Sequence, residues 1–262
     1  MHLLAGLALL FLPLLQAAAT PAGQCAAALG QAPVTAPDQM DSKLEFLSWN
    51  IQKADNEGWA QDLINVSANI NLAFIQEASV QAGIAAAIPV PMYQSFAAGY
   101  ITGGDQTGVM TLSSGSPSMH CNLTAWEPWL GTPKATAITE YPLNGRQDRL
   151  LAINLHAVNF TLGLQNYQAQ FHDLGTLLEN HSGPIIIAGD MNTWSNGRQS
   201  LVERFMSEHG LNPVLFTPDL RTTAFGRALD HVYTRGMRAE SAKIIPVTSS
   251  DHNPLRVSLH IL

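Results

Sequence analysis

Pro184-Ile185-Ile186-Ile187-Ala188-Gly189-Asp190-Met191-Asn192-Thr193-Trp194 is the stretch on which the fold turns. Four apolar residues follow a proline and stop at a glycine, the pattern of a short strand buried on both faces. Gly189 permits an unusual backbone just where polar chemistry begins. On an extended chain the alternate positions Asp190 and Asn192 send their side chains to one side. A carboxylate beside an amide can take a proton from one atom and donate a hydrogen bond to its neighbour, a combination suited to a water and an oxyanion at one phosphorus centre. An Asx-rich turn after a strand is the plainer reading of this motif alone.

Working outward, polar residues recur at strand ends. Leu44 to Trp49 reads as a strand ending at Asn50, and Leu72 to Ile75 as one ending at Gln76-Glu77. Met92 to Ala97, Gly108 to Leu112, Ala135 to Tyr141 and Arg149 to Leu155 read as successive strands separated by turn residues, the last leading into His156. Ala228 to Thr234, containing Asp230, Ala242 to Val247 and Leu255 to Ile261 complete the strand set. Helical spacing covers Gly58 to Ile70, Val80 to Ile88, Leu162 to Leu178 and Gln199 to His209. Strand runs with segregated helices predict one α+β or layered α/β domain over residues 43–262, without internal repeats.

With 46% hydrophobic residues the 262-residue chain can fill a large core, and only 13% of its residues are charged. A net charge of −7 argues against a broad basic groove for nucleic-acid backbone, although a divalent metal can supply positive charge locally. Leu3 to Leu15 is an apolar run followed by Ala17-Ala18-Ala19, which reads as a signal peptide over residues 1–19 despite the missing basic n-region. It is shorter than the roughly 20 residues of a membrane-spanning helix. A secreted or periplasmic protein with no transmembrane segment in the mature chain is the expectation. Gln24 before Cys25 is a poor lipoprotein context. Residues 20–42 read as a linker or loosely held arm. Cys25 and Cys121 permit one disulfide, or two buried thiols.

Leu-Ser-Trp-Asn50-Ile-Gln, Phe-Ile-Gln-Glu77, Asn154-Leu-His156, Gly189-Asp190-Met-Asn192, Leu229-Asp230-His231 and Ser250-Asp251-His252 occur in the order that characterises the endonuclease/exonuclease/phosphatase superfamily. The chain from Leu44 onward resembles its deoxyribonuclease-like members. That resemblance implies a four-layer α/β/β/α sandwich with one cleft where strand ends meet. It implies that Glu77 is the main Mg2+ ligand, with Mn2+ as a substitute, and that Asn50 is a second ligand or positioning group. Asp190 would orient or deprotonate the attacking water, and Asn192 would hold that water or a phosphate oxygen. His252, oriented by Asp230, would contact the scissile phosphate; Asp251 is an additional acid near the metal, and His156 a candidate acid for the leaving oxygen. Lys134, ahead of a core strand, is a candidate phosphate contact. Zinc is disfavoured, because no Cys-x-x-Cys exists and no histidines stand at i, i+4.

The substrate classes left open are nucleic acid and phospholipid, with no stable protein partner expected. Scattered arginines give little sign of a phosphate-binding strip. Trp126-Glu-Pro-Trp129 is a candidate exposed aromatic loop for a sphingomyelinase-like lipid phosphodiesterase. A catalytically inactive binding protein ranks last, since every expected position is filled.

Overall fold

The computed structural model describes residues 20–33, 38–128 and 130–262; the expected signal peptide and Trp129 lie outside them. The chain runs α1 (Ala22–Ala28), β1 (Lys43–Asn50), α2 (Trp59–Val66), β2 (Leu72–Ser79), α3 (Ile84–Ala87), β3 (Tyr93–Thr102), β4 (Asp105–Ser113), β5 (Met119–Trp126), β6 (Pro133–Pro142) and β7 (Arg149–His156). It continues through α4 (Gln165–Glu179), β8 (Ile185–Asp190), α5 (Asn196–Glu208), β9 (Asn212–Pro213), the hairpin β10 (Thr223–Ala224) and β11 (Arg227–Ala228), β12 (Asp230–Arg235), β13 (Met237–Ile244) and β14 (Leu255–Ile261). Two six-stranded mixed sheets result, ordered β13-β14-β1-β2-β4-β3 and β5-β6-β7-β8-β12-β9.

Side-chain alternation assigns each face. Leu44, Phe46, Leu72, Phe74, Leu150, Ala152, Ile186, Ala188, Val232 and Val257 form the layer between the sheets. The alternate residues Leu151, Ile153, Ile185 and Ile187 pack under α4 and α5, while Leu47, Trp49, Ala73 and Ile75 pack under α2 and α3. The protein is therefore the expected four-layer α/β/β/α sandwich. Inside the middle layer, Gln76 Nε2 donates to Asn154 Oδ1 at 2.7 Å, a polar clasp from one sheet to the other.

Several elements depart from the sequence reading. The arm expected to be loosely held carries α1, because Cys25 is fully buried and disulfide-bonded to Cys121 on β5. The helix expected over Val80 to Ile88 shrinks to Ile84–Ala87, since left-handed Gly83 caps it. β2 does not stop at Glu77 but runs on to Ser79 through a bulge, and the strand expected at Ala242 to Val247 is instead β13, ending at Ile244. No described helix is long and apolar enough to cross a membrane.

Candidate active site

The parity that fills the middle layer also builds the site. Asn50, Gln76, His156, Asp190 and Asp230 continue the inward-facing rows of β1, β2, β7, β8 and β12 past the last apolar rung, so their side chains converge where the sheets splay. Glu77 has the opposite parity and would face α2. The bulge between Ile75 and Ala78, with Glu77 at φ +50°, re-aims it. Gln52 and Asn192 also hold positive φ, so backbone strain gathers around these strand ends.

A chain of short contacts links the groups. Lys134 Nζ lies 3.1 Å from His156 Nε2. The same nitrogen is 3.5 Å from Asp190 Oδ2 and 3.9 Å from Glu77 Oε1. Asn50 Nδ2 donates to Asp190 Oδ2 at 3.2 Å. His252 Nδ1 meets Asp230 Oδ2 at 2.7 Å, and Asp230 stands opposite Asp190 in the β8/β12 ladder. The loop carrying His252 is pinned to β1: Trp49 Nε1 donates to the His252 carbonyl at 2.9 Å, and Ser250 Oγ to the Asn50 carbonyl at 2.7 Å.

Two expectations need correction. Asp190 and Asn192 do not project together from an extended strand, because β8 ends at Asp190 and Asn192 is left-handed. The Asn192 N–H donates to Asp190 Oδ1 at 3.0 Å, an Asx turn, and its amide donates to the Ala157 carbonyl at 3.0 Å. Asp251 is exposed at the rim, one residue from His252, and its carboxylate touches none of the other site residues within hydrogen-bonding distance.

Burial and neighbouring charge set the protonation states. Burial opposes charge on His252, but the Asp230 carboxylate, with Asp190 and Asp251, outweighs it and lifts the imidazole to about 10. Burial also raises Asp190 to about 6, against the pull of His252. His156 is held well below its ordinary value by burial, then by the positive Lys134 and His252. An ammonium can only donate, so the neutral His156 ring offers its Nε2 lone pair to Lys134.

The donors facing the cleft suit a hard cation. Among the described residues no hydrogen bond reaches the Glu77 carboxylate, and the Asn50 amide oxygen, at the neighbouring strand end, accepts one from the Gln52 N–H at 3.1 Å and keeps a second lone pair. No three His, Cys, Asp or Glu residues among those described form a closed metal cage, and both imidazoles are already engaged. An oxygen-seeking ion that keeps most of its own waters fits this set better than zinc.

Sequence reasoning missed Arg198. Its guanidinium is buried with no carboxylate partner among the described residues and donates to the carbonyls of Val158 (2.6 Å), Asn159 (2.7 Å) and Asn192 (3.2 Å). It is stacked between Tyr167 and Trp194, 4.3 and 4.6 Å from the ring centres. One side chain thus ties the loop after His156 to the loop after Asp190. Ser195, which caps α5 from just upstream, was the available signal that this helix starts early enough to include it. Glu127 was missed too: its buried carboxylate accepts from the Asn159 N–H at 2.6 Å and the Thr132 hydroxyl at 2.7 Å. A groove of about 440 Å³ between α4 and α5 lies away from all of these groups.

Known proteins are similar to this chain in sequence or in fold. A UPF0294 protein of Vibrio vulnificus is 40% identical over 220 residues, covering 83% of this chain and 77% of that protein. A UPF0294 protein of Klebsiella pneumoniae is 37% identical over 86% of this chain and 85% of its own length. Among solved structures, the fold is similar to TDP2 from Caenorhabditis elegans, with a TM-score of 0.61 and 16% identity over 83% of this chain and 74% of that one. It is similar also to the human nocturnin catalytic domain, with a TM-score of 0.62 and 14% identity over 86% and 96%. Residues 47–252 match the endonuclease/exonuclease/phosphatase family, whose named activities all cleave phosphoric esters, and with that match spanning most of its length the chain belongs to this family.

Proposed function

We propose that the chain is an exported, Mg2+-dependent phosphoric-ester hydrolase that acts on diesters. The observation that carries the reading is the convergence of Glu77, Asn50, Asp190, Asp230, His252 and His156 from both sheets into one cleft. A cation held by Glu77 and Asn50 would supply positive charge to the phosphoryl oxygens. Asp190, ionised above about pH 6, orients a water and takes its proton. His252, kept as an imidazolium by Asp230, donates Nε2–H to a phosphoryl oxygen as charge develops there. Asn192 braces Asp190 through its backbone N–H. His156 is neutral, with its Nε2 facing Lys134, so it suits a hydrogen-bonding role better than that of an acid; Lys134 is the nearer proton source and phosphate contact.

Export is supported by the Leu3 to Leu15 run and by the Cys25–Cys121 disulfide, which persists in an oxidising compartment. The deciding assay is hydrolysis of bis-p-nitrophenyl phosphate with Mg2+ or Mn2+ and with chelator. Glu77→Ala, Asp190→Ala and His252→Ala should each abolish turnover while circular dichroism stays unchanged. Full turnover in the chelated enzyme, or in Asp190→Ala, would defeat the proposal.

A further inference from the structure

Asp230 and His252 meet as a pair, yet they come from different sheets: Asp230 opens β12, and His252 lies on the β13/β14 connection. Neither sheet's own hydrogen-bond ladder fixes their separation. A third segment bears on both. Residues 219–222, on the β9/β10 connection, bind the backbone around each of the two groups.

Arg221 holds the Asp230 side. Its Nε and Nη2 donate to the two oxygens of Asp219 at 2.9 and 2.6 Å, a two-point fork that fixes the guanidinium plane. The remaining nitrogen, Nη1, reaches the Asp230 carbonyl and His231 Nδ1, each at 3.1 Å. A guanidinium only donates, so His231 accepts at Nδ1 and, as a neutral ring, carries its proton on Nε2. Burial and the charge of Arg221 keep that ring neutral, with its value lowered to about 4. The Nε2–H then points to Thr193 Oγ1 at 2.7 Å, and the Thr193 hydroxyl donates to the Ala228 carbonyl. One cation thus holds the first rung of β12 and, through His231, the residue that follows Asn192. Asp219 compensates its charge, so the Asp230 carboxylate is left for His252.

Thr222 holds the His252 side. Its hydroxyl donates to the Asp251 carbonyl at 2.9 Å and accepts from the Asn253 N–H at 3.2 Å, gripping the residues on either side of His252. Asn253 Nδ2 adds a bond to the Leu220 carbonyl at 2.9 Å. The Leu229 N–H donates to the Thr222 carbonyl at 3.0 Å, which closes the segment onto the chain just before Asp230. We propose that Arg221 and Thr222 are positioning residues, a splint across the two sheets that keeps the Asp230 carboxylate and the His252 imidazole at hydrogen-bonding distance. The splint stands on these contacts alone; its effect on turnover rests on the hydrolase reading above.

The test uses the full chain and the variants Thr222→Val, Thr222→Ser and Arg221→Lys. Thr222→Val keeps the shape of a half-buried side chain and removes its hydroxyl. With bis-p-nitrophenyl phosphate and Mg2+, kcat should fall about tenfold while KM stays within about twofold, the pattern of displaced catalytic groups rather than lost substrate binding. Proton NMR of the metal-free chain reads the pair without turnover. The charge-assisted bond from His252 Nδ1 should give a far-downfield line, identified by its loss in Asp230→Asn; in Thr222→Val that line should move upfield and exchange faster with water. Thr222→Ser should restore both readings. Arg221→Lys cannot make the fork and should change both in the same direction, but the Thr222 pair decides the question by itself. An unmoved line in Thr222→Val, a rise in KM at constant kcat, or a loss that Thr222→Ser does not restore would overturn the proposal. If the line moves as expected while the wild-type chain hydrolyses no diester with Mg2+, the splint holds and the hydrolase reading fails.

Discussion

Replacing Gly189 by alanine should damage the protein twice, through its fold and through its chemistry. Gly189 has φ +139°, and a methyl group there would lie 2.0 Å from the Leu155 carbonyl oxygen and 3.0 Å from Gln76 Nε2. The backbone conformation alone costs an L-residue about 1–3 kcal/mol. Relieving the overlap requires β7 and β8 to part by about 1 Å, an overpacking cost of about 1–3 kcal/mol. The sum is about 2–6 kcal/mol, or a fall in melting temperature on the order of 10 °C for a domain of this size. The strain does not stay local. Leu155 pairs with Gly189, and the next rung pairs His156 with Asp190, whose side chains are 3.5 Å apart. Parting the strands there lengthens that contact and moves Asp190 away from Asn50. Diester hydrolysis at 20 °C, well below either melting point, should therefore fall at least tenfold in the folded variant, while thermal melts report the stability loss separately. A melting temperature within about 2 °C of wild type together with unchanged kcat would refute both the steric and the geometric reasoning.

Other perturbations test other joints of the structure. In Asp230→Asn, His252 loses the carboxylate that lifts it to about 10, so its value falls, with burial still opposing its charge. The raised folded value means that this stabilisation is complete below about pH 6.5 and is lost as pH rises through about 10. Urea melts at pH 7 and pH 10 should therefore differ less in the variant than in wild type, and the alkaline limb of the pH–rate profile should move to lower pH; an unmoved limb contradicts the pairing. Arg198→Lys cannot reproduce a fork that reaches three carbonyls, so urea denaturation should show a loss of about 2–4 kcal/mol, and wild-type stability would show that a point charge suffices. Cys25→Ser/Cys121→Ser opens a cross-link spanning 96 residues and should cost up to roughly 4–5 kcal/mol by the chain-entropy estimate, with the active cleft unaffected. Equal stability of the oxidised parent and the double variant would mean that α1 contributes nothing to the fold.

The buried strands were legible because their signal is local. Ile185 to Ala188 is an apolar run and Leu255 to Ile261 an apolar/polar alternation, each following turn residues, and the structure places strands there. Edge strands lacked that signal. β5 alternates weakly through His120, Asn122 and Thr124, while β13 is exposed along most of its length, so one was missed and the other displaced. α1 lies in a segment of Ala, Pro and Gln, and its order comes from a bond to a residue 96 positions away, which no local pattern contains. The site motifs were legible as residue types at strand ends. Their aim was not: the bulge that turns Glu77 into the cleft and the left-handed turn at Asn192 are properties of pairing and of backbone dihedrals. Arg198 was invisible for a related reason, since its partners are main-chain carbonyls that carry no mark in the sequence.

The Gln76–Asn154 clasp has a wider implication, because each sheet owns only part of the reactive constellation. Asn50, Glu77 and His252 belong to one layer, and His156, Asp190 and Asp230 to the other. Turnover is consequently a gauge of how the two slabs are aligned, and substitutions deep among Phe46, Phe74 and Ile186 should register as kinetic defects before they register as unfolding.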